Sequence, residues 1–346
     1  MNIRIYVVSF IVMLCAPVIL FAQQVDYSVV SVQEESGTEF TKITTVGDYV
    51  CMPIVNRSGS SINWLSNRIL DISYEGTHIA YLSCRNNTVN IFIKDLSRQG
   101  GSVQRTNRTA IGDFSYSPDG KYICFSEQRG NENQIFQTSS DNGYVCRQMT
   151  SGNQDFSPIY SSDMKLLLFA RQERMGVSIW SYNVGNNFLS SYSSGMNPCP
   201  VPGEQAFLCV RTNASGKSEI WKIDYEKGIE TCIIADPDKN FTSPVLSPDG
   251  RWILFVGESL LHGNGFVYPN TDLFVCRIDG TGFAQLTYHA ADDLSPVWSK
   301  DGRFIYFISQ RGSSDGTANI WKMNFNYSCQ SAVGFLIQKL KINKCK

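Results

Sequence analysis

A three-residue signature recurs six times along the 346-residue chain: a polar residue, then Ile or Leu, then Phe or Trp. The copies are Asn90-Ile91-Phe92, Gln134-Ile135-Phe136, Ser178-Ile179-Trp180, Glu219-Ile220-Trp221, Asp272-Leu273-Phe274 and Asn319-Ile320-Trp321. Their aromatic positions lie 44, 44, 41, 53 and 47 residues apart. Self-similarity at roughly 40–50 residues marks a repeat architecture, in which each unit buries its apolar face against its neighbours.

The same elements surround each signature. An inner strand and tight turn come first, as in Phe114 to Gly120, Ser243 to Gly250 and Ser295 to Gly302. The Pro and Asp-Gly of these turns preset one φ and tolerate a positive one. The third unit keeps Ser157-Pro158 and Asp163 but has Met164 for glycine, and the fourth reads Val201-Pro202-Gly203-Glu204. A short apolar run follows: His78 to Leu82, Tyr122 to Phe125, Leu166 to Phe169, Ala206 to Val210, Trp252 to Val256 and Phe304 to Ile308. Runs of this length bounded by turns read as strands buried on both faces. The signature is the third strand, and Cys146 to Thr150, Phe283 to Thr287 and, more weakly, Ser102 to Thr106 supply a fourth.

Six four-stranded antiparallel units predict an all-β, six-bladed β-propeller over residues 69–325. The last unit stops after its third strand, while Phe40-Thr41-Lys42-Ile43-Thr44 repeats the pattern of Phe283 to Thr287. The N-terminal segment 23–68 is therefore expected to complete the sixth blade with a strand near 40–44. The rival is the tail, 326–346, through Gly334 to Asn343.

Residues 1–22 read as a cleaved signal peptide, with Arg4, an apolar run from Tyr6 to Phe21, and Ala22 before Gln23-Gln24. An uncleaved anchor is the rival, opposed by Pro17 and by a run short of the roughly 20-residue span. Leu14 before Cys15 is not the small residue that lipidation requires. Ten cysteines follow the leader, and most occupy apolar strand positions, as Cys124, Cys209 and Cys276 do, where a thiol acts as a small hydrophobe. Cys329 and Cys345 are the pair to test for a bridge, and no C-x-x-C supports zinc or redox chemistry. With 30 basic and 31 acidic residues the chain gives no electrostatic reason to bind nucleic acid.

Gln285-Leu286-Thr287, Asp293 to Ser299, Asp301-Gly302 and Asn319-Ile320-Trp321 resemble the TolB-like six-bladed propeller family, built on WD-type repeats of the TolB kind. The resemblance covers about residues 69 to 325. The leader and Gln-Gln start resemble exported proteins of Bacteroidetes-type bacteria. The family implies periplasmic, non-catalytic protein recognition. TolB itself resembles a two-domain protein, and the short stretch before the first repeat leaves no room for its α/β domain, so the resemblance is to the propeller alone. Some TolB-like propellers are lyases for acidic sugars whose sites resemble metal centres of several histidines and a glutamine. Here His78, His262 and His289 fall in non-equivalent parts of their repeats.

Gly312-Ser313-Ser314-Asp315-Gly316 matches G-x-S-x-G in letters, but a nucleophile elbow needs a strand, a strained turn and a helix, and this is an inter-strand loop. Propellers of prolyl-peptidase type accompany a hydrolase domain, for which the tail is too short. Asp236-Pro237-Asp238-Lys239-Asn240 has Phe241 where a calcium loop needs glycine, and reads as a connection. The sequons beginning at Asn56, Asn86, Asn107, Asn213, Asn240 and Asn326 carry little weight in a chain so rich in Asn, Ser and Thr.

Second strands tend to end in arginine: Arg85, Arg129, Arg171, Arg211 and Arg311. Asp113, Asp155, Asp292 and Asp293 precede inner strands. Propeller topology puts both sets on one face. They form either local pairs that pin the blades or a polar recognition face for a protein or glycan. The expected function is an exported, non-enzymatic, monomeric platform in the periplasm or envelope, binding envelope proteins without cofactor or metal, in transport or envelope integrity. An oligouronide lyase-like or glycan-binding propeller is the alternative.

Overall fold

The computed structural model describes residues 38–325 apart from 54, 59, 60, 65–67, 99, 264 and 265. The leader, the tail and the Cys329–Cys345 pair lie outside the described residues. The chain opens with β1 (Phe40–Lys42), a 3-10 turn (Val46–Asp48) and a hairpin of β2 (Val55–Ser58) and β3 (Ser61–Trp64). Blade 1 is β4 (Leu70–Ile72), β5 (His78–Arg85), β6 (Thr88–Asp95) and β7 (Val103–Gln104). Blade 2 is β8 (Ile111–Tyr116), β9 (Tyr122–Arg129), β10 (Glu132–Ser139) and β11 (Cys146–Gln148). Blade 3 is β12 (Gln154–Tyr160), β13 (Leu166–Glu173), β14 (Gly176–Asn183) and β15 (Leu189–Ser194). Blade 4 is β16 (Met196–Pro200), β17 (Ala206–Thr212), β18 (Ser218–Asp224) and β19 (Ile229–Ile234). Blade 5 is β20 (Phe241–Leu246), β21 (Trp252–Gly263), β22 (Phe266–Arg277) and β23 (Ala284–Gln285). Blade 6 is β24 (Asp293–Trp298), β25 (Phe304–Ser309) and β26 (Asn319–Asn324), completed by β1.

The units are equivalent down to the residue. Each signature aromatic lies directly opposite the same second-strand position: Phe92 and Tyr81, Phe136 and Phe125, Trp180 and Phe169, Trp221 and Cys209, Phe274 and Phe255, Trp321 and Phe307. Those second-strand residues are fully buried, each stabilising the fold by roughly 1.5–3 kcal/mol when it is a large side chain. Apolar clusters fill the gaps between adjacent blades, which is why the strands read as unbroken hydrophobic runs.

The turns repeat as well. Ser117, Ser161, Ser247 and Ser299 each donate a hydroxyl to Asp119, Asp163, Asp249 and Asp301 at 2.6–2.7 Å. The same serines accept the backbone N–H of Tyr122, Leu166, Trp252 and Phe304 at 2.9 Å. Met164 takes the glycine position at φ 62°, so this network holds the turn even where the residue disfavours it.

Ring closure follows the sequence pattern. Phe40, Thr41 and Lys42 pair antiparallel with Met323, Lys322 and Trp321. Buried Thr44 accepts the N–H of Ile320 at 2.8 Å, as Thr106, Thr150 and Thr287 accept those of Ile91, Ile135 and Leu273 at 3.0 Å. Beyond β1 the chain is tied to blade 1. Buried Asp48 accepts from Tyr81 and Ser102 at 3.1 and 2.6 Å and pairs with Lys94 at 3.5 Å. Burial pushes its carboxyl up, but the donors around it outweigh that and hold it below the usual range. Cys51 and Cys84 form a disulfide across this seam, a pairing the sequence pattern does not single out. Cys124, Cys199, Cys209 and Cys276 are buried free thiols, and burial pushes three of them, Cys124, Cys209 and Cys276, up to about 12.

Candidate functional site

Antiparallel topology gives the ring two unlike faces. The lower carries the Ser-x-Asp turns. The upper carries the turns after second strands and the connections into inner strands, and all eight recognition candidates from the sequence lie toward it.

There they are distributed blade by blade, not gathered at one point. Arg171 grips Asp155 at 2.7 and 2.9 Å, with side-chain exposures of 9% and 0%. Arg311 meets Asp293 at 2.5 Å, at 4% and 0%. Arg211 holds Glu230 at 2.8 and 2.9 Å. Arg129 shares Glu127 with Arg108 and is 46% exposed. Arg85 donates to the carbonyl of Asp48 at 3.2 Å. Four of these guanidiniums also stack on their own blade's signature aromatic, Arg85 on Phe92, Arg129 on Phe136, Arg171 on Trp180 and Arg211 on Trp221, at 4.1–4.9 Å. Arg311 lies 4.2 Å from the ring of Phe40, the ring-closing strand's first residue. In blade 5 glycine replaces the polar residue, because a Cβ at Gly257 would meet Phe274 and Phe241 at 2.8–2.9 Å, and Lys239 covers Phe274 instead. In blades 1 to 4 an arginine thus ties the second strand to the third, leaving Arg129 and half-buried Arg85 as the candidates most open to a partner.

Asp113 belongs to the hub. Ser157, Asn197, Ser243 and Ser295, each preceding a proline, sit at φ 50–53° on bulges of the innermost strands β12, β16, β20 and β24. Positive φ is uncommon for such residues, and its recurrence at equivalent positions marks a built-in kink. The N–H of Ser157 donates to Asp113 at 2.7 Å, its hydroxyl lies 3.1 Å from Asn197 Oδ1, and Asn197 donates to Thr242 at 3.1 Å. A polar chain therefore runs around the axis from blade 2 to blade 5. Arg68, just ahead of β4, reaches across the axis and donates to the carbonyl of Pro198 at 3.1 Å. Its Nη1 is buried and has no hydrogen-bond partner among the described residues. Beside it lies a cavity of about 20 Å³, lined by Arg68, Leu70, Ser157, Asn197, Ser243 and Ser295, room for about one water molecule. Burial pushes the carboxyls of Asp71 and Asp113 up, with Arg68 pulling the other way.

The remaining motifs do not converge. His78 stands at the lower end of β5 beside Thr77, while His289 is buried in the upper connection between blades 5 and 6, accepting from the N–H of Ala291 at 2.9 Å. No group of three or more His, Cys, Asp or Glu is placed to hold a metal among the described residues. Ser313 donates to Asp315 in a polar turn, and Asn240 closes its connection by accepting from Ser218 at 2.8 Å.

The upper face has features beyond the candidate list. β21 and β22 run twelve residues each in unbroken register to Gly263 and Phe266. Residues 260–263 extend past the position equivalent to Arg129, so the ribbon projects by about 13 Å. The β2–β3 hairpin leaves and returns at the same face, because Val50 bridges Ser83 near the upper end of β5 and Arg68 leads into β4. Met175, 99% exposed, tips the equivalent turn of blade 3.

No family model matches the chain. Among solved structures it is similar to a putative TolB from Agrobacterium tumefaciens, at 15% identity and a TM-score of 0.56, covering 77% of this chain and 93% of that one. It is also similar to oligogalacturonate lyase from Vibrio parahaemolyticus, at 10% identity and 0.55, covering 86% and 96%. TolB from Acinetobacter baumannii aligns at 18% identity and 0.50, covering 76% of this chain and 54% of that one. At these identities the shared property is the β-propeller fold, common to TolB proteins and to enzymes alike.

Proposed function

We propose that this protein is an exported, non-enzymatic propeller whose upper face recognises a protein of the cell envelope, in the manner its likeness to TolB structures brings to mind. One observation carries the reading: Arg68 spans the axis to Pro198, and the cavity beside it holds about 20 Å³. That cavity is too small to seat an oligomeric substrate, which favours contact at the surface. There Arg85, Arg129, Tyr49 and Met175 present cationic and apolar groups together, the mixture enriched in protein interfaces. The competing class, an enzyme acting on acidic polysaccharide, has the lyase likeness in its favour. Against it, His78 and His289 stand at opposite ends of their blades, and no metal-holding group of side chains is found among the described residues.

Affinity capture from an envelope extract tests the proposal. The expected result is one stoichiometric partner, lost in Arg129→Gln while the melting temperature falls by no more than about 2–4 °C. Divalent-metal-dependent cleavage of oligouronides by the purified protein would overturn it.

A further inference from the structure

β1 supplies the fourth strand of blade 6, so the ring closes without the chain beyond Phe325. Phe325 fixes where the tail starts. Its N–H donates to the carbonyl of Arg303 at 2.7 Å, and its ring packs edge-on against Trp298 at 4.7 Å and Trp252 at 6.0 Å. These three rings, with Asp249, Lys300 and Asp301, line a groove of about 380 Å³ on the lower face between blades 5 and 6. The equivalent groove between blades 3 and 4 holds about 130 Å³. The larger one has room for more than one side chain, and it opens at the root of the tail.

The tail suits it. Residues 326–346 carry four lysines (339, 341, 344 and 346), no Asp or Glu, and an apolar stretch from Ala332 to Ile337. Asp249 and Asp301 are held ionised by serine hydroxyls and backbone N–H groups. Their cationic partners, Arg251 and Arg303, sit on side chains about three-quarters exposed or more. Tyr327 follows Phe325 by two residues, a reach of about 7 Å.

We propose that the groove between blades 5 and 6 is the docking site of this chain's own C-terminal segment, with Tyr327 seated beside Trp252 and the lysines beyond it facing Asp249 and Asp301. The docked segment is a strap across the junction of the two blades, on the face opposite the recognition surface.

Hydrogen exchange tests this on the full chain, on a chain ending at Phe325, and on the shortened chain with a peptide of residues 326–346 added. Loss of the tail should raise exchange several-fold in 247–252 and 298–303. The peptide should restore protection, and a peptide with Lys339→Glu and Lys341→Glu should restore it poorly. Equal exchange with and without the tail would overturn the proposal. Protection that appears only as the full chain dimerises would also overturn it, by assigning the groove to a second copy's tail. Should the shortened chain fail to fold, Tyr327→Ala in the full chain reads the same segments. Raised exchange with little change in melting supports docking, and unchanged exchange sinks it.

Discussion

Replacing Arg311 by alanine separates the clamping role of the arginine ring from a role in binding. Arg311 is nearly inaccessible, its Nη2 lies 2.5 Å from fully buried Asp293, and its guanidinium covers the rings of Phe40 and Phe307 at 4.2 and 4.9 Å. Removing one partner of a buried pair strands the other's charge, at a cost of about 3–5 kcal/mol, and part of the cation–π attraction, roughly 0.5–2 kcal/mol, goes with it. These terms overlap, so about 4 kcal/mol is the working figure. A domain of this size loses about 2–4 °C of melting temperature per kcal/mol, which puts Arg311→Ala about 8–16 °C below the parent by calorimetry. Arg129→Ala is the control. Its side chain is 46% exposed and Glu127 keeps Arg108, so the loss should stay within about 1 kcal/mol. The double variant Arg311→Met/Asp293→Leu should recover much of the stability, since apolar replacements of buried pairs are often neutral or better. An Arg311→Ala protein melting within about 2 °C of the parent, or an Arg129→Ala protein falling as far, would refute the reasoning.

Three further outcomes follow from the seam and the hub. Thr44→Val removes the buried acceptor of the Ile320 N–H and should cost about 1–3 kcal/mol, with exchange rising in 40–44; the sister change Thr287→Val should leave that segment protected. Cys84→Ser opens a disulfide spanning 33 residues, worth about 3–4 kcal/mol on the chain-entropy estimate, and reductant should lower the parent's melting toward the variant's while leaving the variant unmoved. Asp113 has its folded pKa raised above 3.8 by burial, so the folded state holds that proton more tightly. Its contribution is fullest below pH of about 4 and fades as pH rises through the raised value. Asp113→Asn should therefore gain on the parent between pH 4 and 7 in urea midpoints, and a constant gap across that range would count against it.

What the sequence displays is whatever each unit must repeat. Ser-Pro-Asp-Gly turns, buried second strands and the signature were readable because the same turn network recurs in four blades and the same buried second-strand position faces the signature aromatic in all six. Ring closure was readable for the same reason, since Thr44 makes the bond that Thr287 makes. The outer strands Leu189–Ser194 and Ile229–Ile234 were not, because half or more of each is exposed and only Ile234 is buried. Charge alternation on the upper face was visible, but only burial separates Arg311, a clamp, from exposed Arg129. Arg68 was invisible: its partner Pro198 is 130 residues away and no repeat position predicts it. The projecting ribbon did leave a trace. Trp221 to Phe274 is the longest interval between signatures, 53 residues, and it contains Asn264-Gly265, a dipeptide favoured in two-residue hairpin connections.

Closing the ring with strands from both ends has a consequence for access. β1 runs antiparallel to β26, so Phe40 comes in, and Phe325 leaves, at the lower face of blade 6. The described backbone therefore begins and ends at the lower face, opposite the β21–β22 ribbon, the β2–β3 hairpin and the arginine rim. A bulky folded domain fused after Lys346 should accordingly leave partner capture unchanged. The same domain inserted between Asn264 and Gly265, at the turn of the ribbon, should abolish capture while the propeller melts as before. Capture lost on the C-terminal fusion and kept on the ribbon insertion would move recognition to the opposite face, and with it the role assigned to Arg85 and Arg129.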